Sequence, residues 1–195
     1  MYPHHHYERR NQITTPRLRL RPMCRDDAPR VVAWRNDPST APMFLSPPPT
    51  LEEHRRWFSG PRIGRVDYII ERRDHNRAIG VVNFKNIDEE TKTAEAGKLI
   101  GHIESRGQGM AKEAFAAWMI YGFEGLDMAR ITVQTRADNA PNIHLNRRLG
   151  FVIEDRHRRR AADGTVRTFV CMHLDRQAID DAAYYDTVVG PRPAT

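Results

Sequence analysis

Two glycines one residue apart, Gly107 and Gly109, precede a segment with helical periodicity. Glycine lets a ligand approach the backbone closely, and the N–H groups at a helix N-terminus bind anions. Two common phosphate motifs are excluded: a dinucleotide fingerprint needs glycine where Lys112 stands, and a Walker loop needs Gly-Lys-Ser/Thr. The spacing therefore predicts a phosphate site of another kind.

A second motif lies downstream, where Asn139 is followed by Leu-Gly-Phe at 149–151. Arg106, Gly109 and Ala111 match the pattern Gln/Arg-x-x-Gly-x-Gly/Ala. Together the two motifs resemble the acetyl-CoA loop and the C-terminal hallmark of the GCN5-related N-acetyltransferase family, and the resemblance spans residues 14–174. It implies that acetyl-CoA is the cosubstrate and that no metal takes part.

The resemblance places cosubstrate contacts on the strand before the glycine loop, on the loop and first helical turn, and on the helix after Asn139. The loop N–H groups would hold the CoA pyrophosphate, aided by the helix dipole, and the strand would hydrogen-bond the pantetheine. Asn139 also suits a helix N-cap, and basic side chains here also suit a solvated helix face. The expected contacts are Leu99, Ile100, Gly101, Arg106, Gly107, Gln108, Gly109, Met110, Ala111, Lys112, Asn139, Asn142 and Arg148.

Acetyl transfer to an amine requires a neutral amine, and an alkylammonium has a pKa of about 10. A base that removes this proton, directly or through water, therefore assists the reaction. Glu95, on the strand leading to the loop, is the first candidate, and His102 is the second. Each residue also suits a purely structural role, as a surface carboxylate or a packed histidine.

The leaving thiolate also needs a proton. Many relatives carry a tyrosine thought to supply it, and by the resemblance that position is Asn146 here. An amide hydrogen-bonds sulfur but is no useful acid at neutral pH. The source of the proton stays open between water, Tyr121, Cys171 and His144.

The first 60 residues are expected to shape the acceptor site, through Trp34, Arg35, Asn36, His54 and Trp57. This set resembles the family branch that acetylates amino groups on nucleotide-linked sugars, where arginine pairs with diphosphate and aromatic rings stack on a base or sugar. The same aromatic residues also suit a hydrophobic core.

Three alternatives remain open. The segment from Thr15 to Arg21 is similar to the start of the branch that acetylates protein N-termini, including those of ribosomal proteins. A small-molecule amine is another acceptor, although the basic composition disfavours a cationic one. An acetyl-CoA-binding regulatory subunit without turnover is the alternative of another class.

Composition limits the remaining choices. A chain of 195 residues with net charge +6 suits one domain and a polyanionic ligand, and its basic residues form no nucleic-acid signature. No signal peptide or membrane-spanning stretch is recognisable, so a soluble, cytoplasmic protein is expected. Cys24 and Cys171 are too few and too far apart for a zinc site, and no metal is predicted.

Periodicity predicts the order strand, two helices, three strands, helix, strand, helix, two strands. This is an α+β domain with one mixed, mostly antiparallel sheet flanked by helices, and the family fold adds a splayed central strand pair that binds CoA. Residues 1–13 are expected to form a flexible arm, 14–174 the acetyltransferase domain, and 175–195 a tail. Packing of this tail on a partner subunit in a homodimer, and disorder, both stay open.

Overall fold

The structure, a computed structural model, describes residues 12–44, 46–160 and 164–179. These residues form one eight-stranded sheet with four α-helices. The strands are β1 Ile13–Thr14, β2 Leu18–Pro22, β3 Val66–Arg72, β4 Arg77–Asp88, β5 Thr93–Ile100, β6 Arg130–Arg136, β7 Val152–Arg160 and β8 Val166–Asp175. The helices are α1 Ala28–Asn36, α2 Leu51–Ser59, α3 Met110–Ile120 and α4 Ala140–Arg148.

The strands follow the order β1-β2-β3-β4-β5-β6-β8-β7, and every neighbouring pair except β5 and β6 is antiparallel. The parallel β5–β6 pairing runs only from Thr93 opposite Arg130 to Glu95 opposite Thr132. Both strands continue beyond this point without a register partner on each other. The predicted mixed sheet with a splayed central pair is therefore confirmed. The space between residues 96–100 and 133–136 is called the β5–β6 gap below.

Helices cover both faces of the sheet. On one face, Trp118 of α3 is fully buried and stacks on Phe84 of β4, with ring centroids 4.7 Å apart. On the other face, Val31 of α1 packs with Ile69 and Val81 in a separate buried cluster. Successive strand residues point to opposite faces, so β5 supplies side chains to both layers.

Two helices have distinctive ends. At the start of α2, the Thr50 hydroxyl accepts from the Glu53 N–H and the Glu53 carboxylate accepts from the Thr50 N–H, which forms a capping box. At the C-terminal end of α3, the α-helix stops at Ile120 and continues as a π-turn. At Gly122 a Cβ atom would lie 2.6 Å from Phe84, so the π-turn brings the backbone onto the sheet.

The predicted domain limits lie within one residue of the ends of the sheet. β1 starts at Ile13 and β8 ends at Asp175, while Ile179 beyond it is only 1% exposed and joins the core. Most of the expected arm and tail lies outside the described residues. Within the described part, no helix is long and apolar enough to cross a membrane.

Candidate active site

The glycine loop enters α3 in a left-handed conformation. Gly107 has φ 75° and Gly109 has φ 78°, values that favour glycine over any residue with a Cβ atom. A Cβ at Gly107 would meet nothing within 4 Å, so this stretch of backbone is open to a ligand. Since the first-turn N–H groups of α3, from Met110 to Lys112, have no intrahelical acceptor, they suit an anion.

Arg17 at the start of β2 holds the loop in place. Its Nε lies 2.6 Å from the Glu113 carboxylate, and its Nη1 donates to the Gln108 carbonyl at 2.9 Å. The Gln108 side chain in turn donates to the Glu104 carbonyl at 2.6 Å. Arg17 therefore adds positive charge beside Gly109. Sequence reasoning missed this residue because its partners lie more than 90 positions away.

Arg106 connects the loop to two other elements. Its Nε donates to the Ile100 carbonyl at 2.9 Å, while Nη1 and Nη2 donate to the hydroxyls of Ser39 and Thr40 at 2.8 and 2.9 Å. The guanidinium is thus engaged with the end of β5 and with the α1–α2 connection. In this structure Arg106 positions the loop through protein contacts.

The end of β5 borders the gap. The N–H groups of Gly101 and His102 both donate to the Ile79 carbonyl, at 2.9 and 3.0 Å, and so anchor this end to β4. Leu99 and Ile100 pair with β4 and have no partner on β6. Their free strand edge is where an extended ligand could add hydrogen bonds to β5.

Lys98 reaches from β5 into the interior beside the gap. Its Nζ donates to Asn146 Oδ1 at 2.6 Å and lies 3.8 Å from the centroid of the Phe115 ring. Burial lowers the pKa of Lys98 to about 7. Asn146 itself is fully buried, and its Nδ2 lies 3.9 Å from Met172 Sδ. Sequence reasoning singled out Asn146 but missed Lys98.

Glu95 lies where the two strands part, on the sheet face opposite Lys98, because three residues separate them on an extended strand. Its side chain is 15% exposed, with Lys85 Nζ at 2.9 Å and Asn86 Nδ2 at 3.2 Å. The carboxylate is therefore held by two donors and still borders the solvent. This is a suitable position for a base that acts on an incoming amine.

His102 lies at the other end of the same segment. Its Nδ1 is 3.0 Å from Ser105 Oγ, and its Nε2 is 3.3 Å from Arg77 Nη1. Seven residues of extended chain span about 20 Å, so Glu95 and His102 cannot both touch one reacting carbonyl.

Asn139 is the N-cap of α4, as predicted: its Oδ1 accepts from the Asn142 N–H at 3.2 Å. Its Nδ2 points to Met43 Sδ at 3.7 Å, and Asn142 Nδ2 donates to Thr135 Oγ1 of β6 at 2.8 Å. Both asparagines thus lie at the open end of the gap. Arg148 is exposed at the far end of α4, about 13 Å along the axis from Asn139.

Trp34 of α1 packs directly on Gly101. A Cβ at Gly101 would lie 2.0 Å from Trp34 Cγ, so only glycine permits this contact. The indole therefore covers the end of β5, on the side where α1 and α2 lie. Sequence reasoning placed Trp34 with the acceptor and Gly101 with the cosubstrate, and the structure brings the two together.

The other predicted acceptor residues surround a cationic cluster. Arg35 donates to Ser46 Oγ at 3.0 Å and lies 3.8 Å from the Phe44 ring centroid, while Asn36 Nδ2 donates to the Pro49 carbonyl at 3.2 Å. Burial and the nearby Arg65 lower the pKa of Arg35. The Arg35 Nε is buried without a hydrogen-bond partner among the described residues.

His54 and Trp57 complete this cluster on α2. Their rings lie 5.1 Å apart, and Trp57 is 39% exposed with the Arg65 guanidinium 5.0 Å from its ring. Burial lowers the pKa of His54, and the charges of Arg35 and Arg65 lower it further against the opposing effect of Asp67. His54 is therefore neutral near pH 7.

Comparison with known proteins identifies this arrangement. Residues 17–152 match the family model described as the acetyltransferase (GNAT) domain. The chain belongs to the GNAT family of acetyltransferases. It is 30% identical over 147 residues to the N-acetyltransferase p20 of Bacillus licheniformis, a match covering 71% of this chain and 81% of that protein. A shorter match, 33% over 87 residues, relates it to an N-acetyltransferase 9-like protein of Caenorhabditis briggsae, covering 42% and 44% of the two chains.

Solved structures share the GNAT fold. A spermidine N-acetyltransferase from Vibrio cholerae, in complex with CoA and spermine, superimposes with a TM-score of 0.77 at 20% identity, covering 83% of this chain and 96% of that one. A GNAT acetyltransferase from Bacillus anthracis gives a TM-score of 0.73 at 19% identity, covering 86% and 99%. The GNAT chain described here is accordingly an N-acetyltransferase. Its described residues hold no group of three or more His, Cys, Asp or Glu side chains placed to bind a metal ion.

Proposed function

We propose that this enzyme transfers acetyl from acetyl-CoA directly to a primary amine within a ternary complex. The observation that carries the proposal is the parting of β5 and β6 at Glu95, beside the N-terminus of α3. The α3 end offers N–H groups and the Arg17 charge to the pyrophosphate. The free edge of β5 offers hydrogen bonds to the pantetheine, which directs the thioester into the gap.

Glu95 then acts as the base. The amine nitrogen loses its proton to Glu95, directly or through one water, and its lone pair attacks the thioester carbonyl. The C–S bond breaks and the electron pair remains on sulfur. Glu95 suits this role because it borders the solvent at the gap, where the ammonium of Lys85 and the amide of Asn86 hold its carboxylate.

For the acceptor, we propose an amine on a nucleotide-linked sugar. The supporting observation is the cluster of Arg35 and Arg65 around neutral His54, next to the exposed indole of Trp57. Arg65 is ion-paired with Asp67 at 2.8 Å, so Arg35 is the guanidinium that the diphosphate would engage. A diphosphate pairs with guanidinium groups, and a base or sugar stacks on an indole. The Nε of Arg35 is buried and has no hydrogen-bond partner within the described part of the chain, so it can donate to such a ligand.

A polyamine is the second candidate. On the Glu95 face of the sheet, burial and the negative charge of Asp155 raise the pKa of Cys171 against the opposing charge of Arg159, and Glu95 and Glu154 raise it further. Three carboxylates therefore lie near Cys171 on this side of the gap. A cationic chain could lie along these carboxylates. The structural neighbour from Vibrio cholerae was solved with spermine bound, at an identity that establishes only the fold.

Mass spectrometry of products tests these acceptors together. The enzyme is incubated with acetyl-CoA and, in parallel, nucleotide-linked amino sugars, spermidine, spermine and short peptides with free N-termini. An acetylated sugar nucleotide, with a KM that rises in Arg35→Met but not in the exposed control Arg25→Met, is the expected result. Acetylated polyamine or peptide would replace this acceptor. Acetyl-CoA binding without turnover on any amine would contradict the proposed reaction.

A further inference from the structure

The partly buried Lys98 is a chemically active group that the reaction above does not use. Nothing in the sequence motifs marks it, since it interrupts a stripe of apolar residues, Ala94, Ala96 and Ile100, on one face of β5. Burying an amine costs free energy unless the group has a role or a partner. Its partner is a single neutral oxygen, Oδ1 of Asn146, at 2.6 Å.

Among the residues that the structure describes, none provides a countercharge for Lys98. Asn146 approaches from α4, the Phe115 ring from α3, and Met172 of β8 lies against the same amide. None of these three side chains titrates, and burial is the cause of the lowered pKa of Lys98. The amine can therefore take up or release a proton near neutral pH with little rearrangement of its neighbours.

We propose that the Lys98 ammonium donates a proton to the departing CoA thiolate, a role that rests on the proposed function because it requires the thioester in the β5–β6 gap. Lys98 is positioned for this by its place on the part of β5 that has no partner on β6, three residues past Glu95. Glu95 and Lys98 lie on opposite faces of the strand. The base thus receives a proton on the acceptor side while the acid supplies one on the side of α3 and α4.

The proton balance closes. Glu95 accepts the proton that turns the ammonium into a neutral amine, and the nitrogen bonds to the carbonyl carbon. The C–S bond breaks with its electron pair on sulfur, and the nitrogen loses a second proton to water as the amide forms. Lys98 gives one proton to that sulfur and becomes neutral. A thiol has a pKa of about 8.5, so transfer from an ammonium whose pKa is about 7 is favourable. Solvent then reprotonates Lys98, and Glu95 releases its proton to water.

The other proton donors weighed from the sequence are less well placed. Tyr121 packs between Tyr68 and Trp118 in the core, with ring centroids 5.8 and 5.1 Å away. His144 is exposed on α4, and Cys171 lies on the Glu95 face with its pKa raised by burial and nearby carboxylates. Only Lys98, among these four, contacts the amide of Asn146.

Two variants test the role through the pH profile. Lys98→Met removes the acid and keeps the apolar contact with Phe115, whereas Lys98→Arg keeps a charge and a donor for Asn146 but holds its proton, since arginine has a pKa above about 12. We expect kcat to fall about 100-fold in both, with acetyl-CoA affinity unchanged. The wild-type decline of kcat above about pH 7, set by the pKa of Lys98, disappears in Lys98→Met.

Controls separate chemistry from folding. Lys92→Met, at the other end of β5, removes an exposed lysine paired with Asp127 and keeps the wild-type rate and profile. Asn146→Asp places a carboxylate against Nζ, which raises the pKa of Lys98 and moves the decline of kcat to higher pH. Wild-type activity in Lys98→Arg would overturn the inference. So would a decline of kcat that occurs at the same pH in Asn146→Asp as in the wild type.

A third measurement does not depend on the acceptor. The thiol of bound CoA is titrated through the ultraviolet absorbance of its thiolate, in the wild type and in Lys98→Met. A neighbouring ammonium lowers the pKa of the thiol by about one unit relative to the variant, which still leaves the thiol pKa above that of Lys98. Equal pKa values with CoA bound would overturn the role of Lys98 and leave the proposed function intact. A lowered thiol pKa with no amine acetylated would support Lys98 and contradict the proposed transfer.

Discussion

The glycine loop and the β5–β6 gap are built in contrasting ways. The loop uses consecutive residues, from Arg106 to Lys112, and offers mainly backbone N–H groups at the start of α3. The gap is assembled from β5, β6, α3 and α4, and its chemistry depends on side chains such as Glu95, Lys98 and Asn146. A local motif therefore specifies the proposed cosubstrate site, whereas tertiary packing specifies the proposed reacting centre.

This difference predicts how substitutions act. Changes in the gap should reduce the rate, since they remove proton transfers or move a side chain at the reaction. Changes in the loop should weaken acetyl-CoA binding and leave the chemical step intact, since they alter only how the backbone meets the phosphates.

Glu95→Gln should have the largest effect. The amide keeps a contact with Asn86 but cannot accept the amine proton, so kcat falls by about 100-fold or more, most strongly at low pH where the amine is protonated. Steady-state kinetics with the identified acceptor measure this loss. Glu90→Gln in the exposed turn after β4 is the control and should retain full activity. An unchanged rate and pH profile in Glu95→Gln would remove this residue as the base.

The fold and the loop could be predicted from sequence because their signals are local. The periodicity of apolar residues predicted the strands, and Asn139 was expected to suit the N-cap position at which α4 begins. The role of Lys98 could not be predicted from the sequence, because its hydrogen-bond partner Asn146 lies 48 positions away in the chain. The sequence likewise assigned Arg106 to the cosubstrate, and its bonds to Ser39 and Thr40 arise only from tertiary packing.

Gly101→Ala tests how closely α1 approaches the reacting centre. The new methyl would lie 2.0 Å from Trp34 Cγ, which forces the indole away and destabilises the protein by about 2 kcal/mol. Urea unfolding measures the loss, and the acceptor KM should rise with it. In a double-mutant cycle, Gly101→Ala should destabilise the protein much less when Trp34 is already replaced by Ala. If the losses of unfolding free energy of the two single variants add up to that of the double variant, the indole does not constrain this glycine.

Gly107→Ala has a matched control in Gly164→Ala, between β7 and β8. The two glycines have φ values of 75° and 81°, and a Cβ at either would meet nothing within 4 Å. Each substitution should therefore cost about 1 kcal/mol of stability through backbone strain. Only Gly107→Ala should also weaken acetyl-CoA binding, by about tenfold, because its methyl obstructs the phosphates. Equal affinities in a calorimetric titration would place the pyrophosphate elsewhere.

Arg17→Lys should have the smallest effect. Lysine keeps the ion pair with Glu113 but loses the second bond, to the Gln108 carbonyl, so the loop is held less firmly. Because Arg17 is about half exposed, we expect acetyl-CoA affinity to fall only about threefold, and Arg25→Lys to leave it unchanged. A loss of acetyl-CoA affinity as large as that of Gly107→Ala would contradict the view that the glycine loop acts mainly through its backbone N–H groups. It would mean that the arginine fork, rather than the α3 backbone, carries most of the phosphate binding.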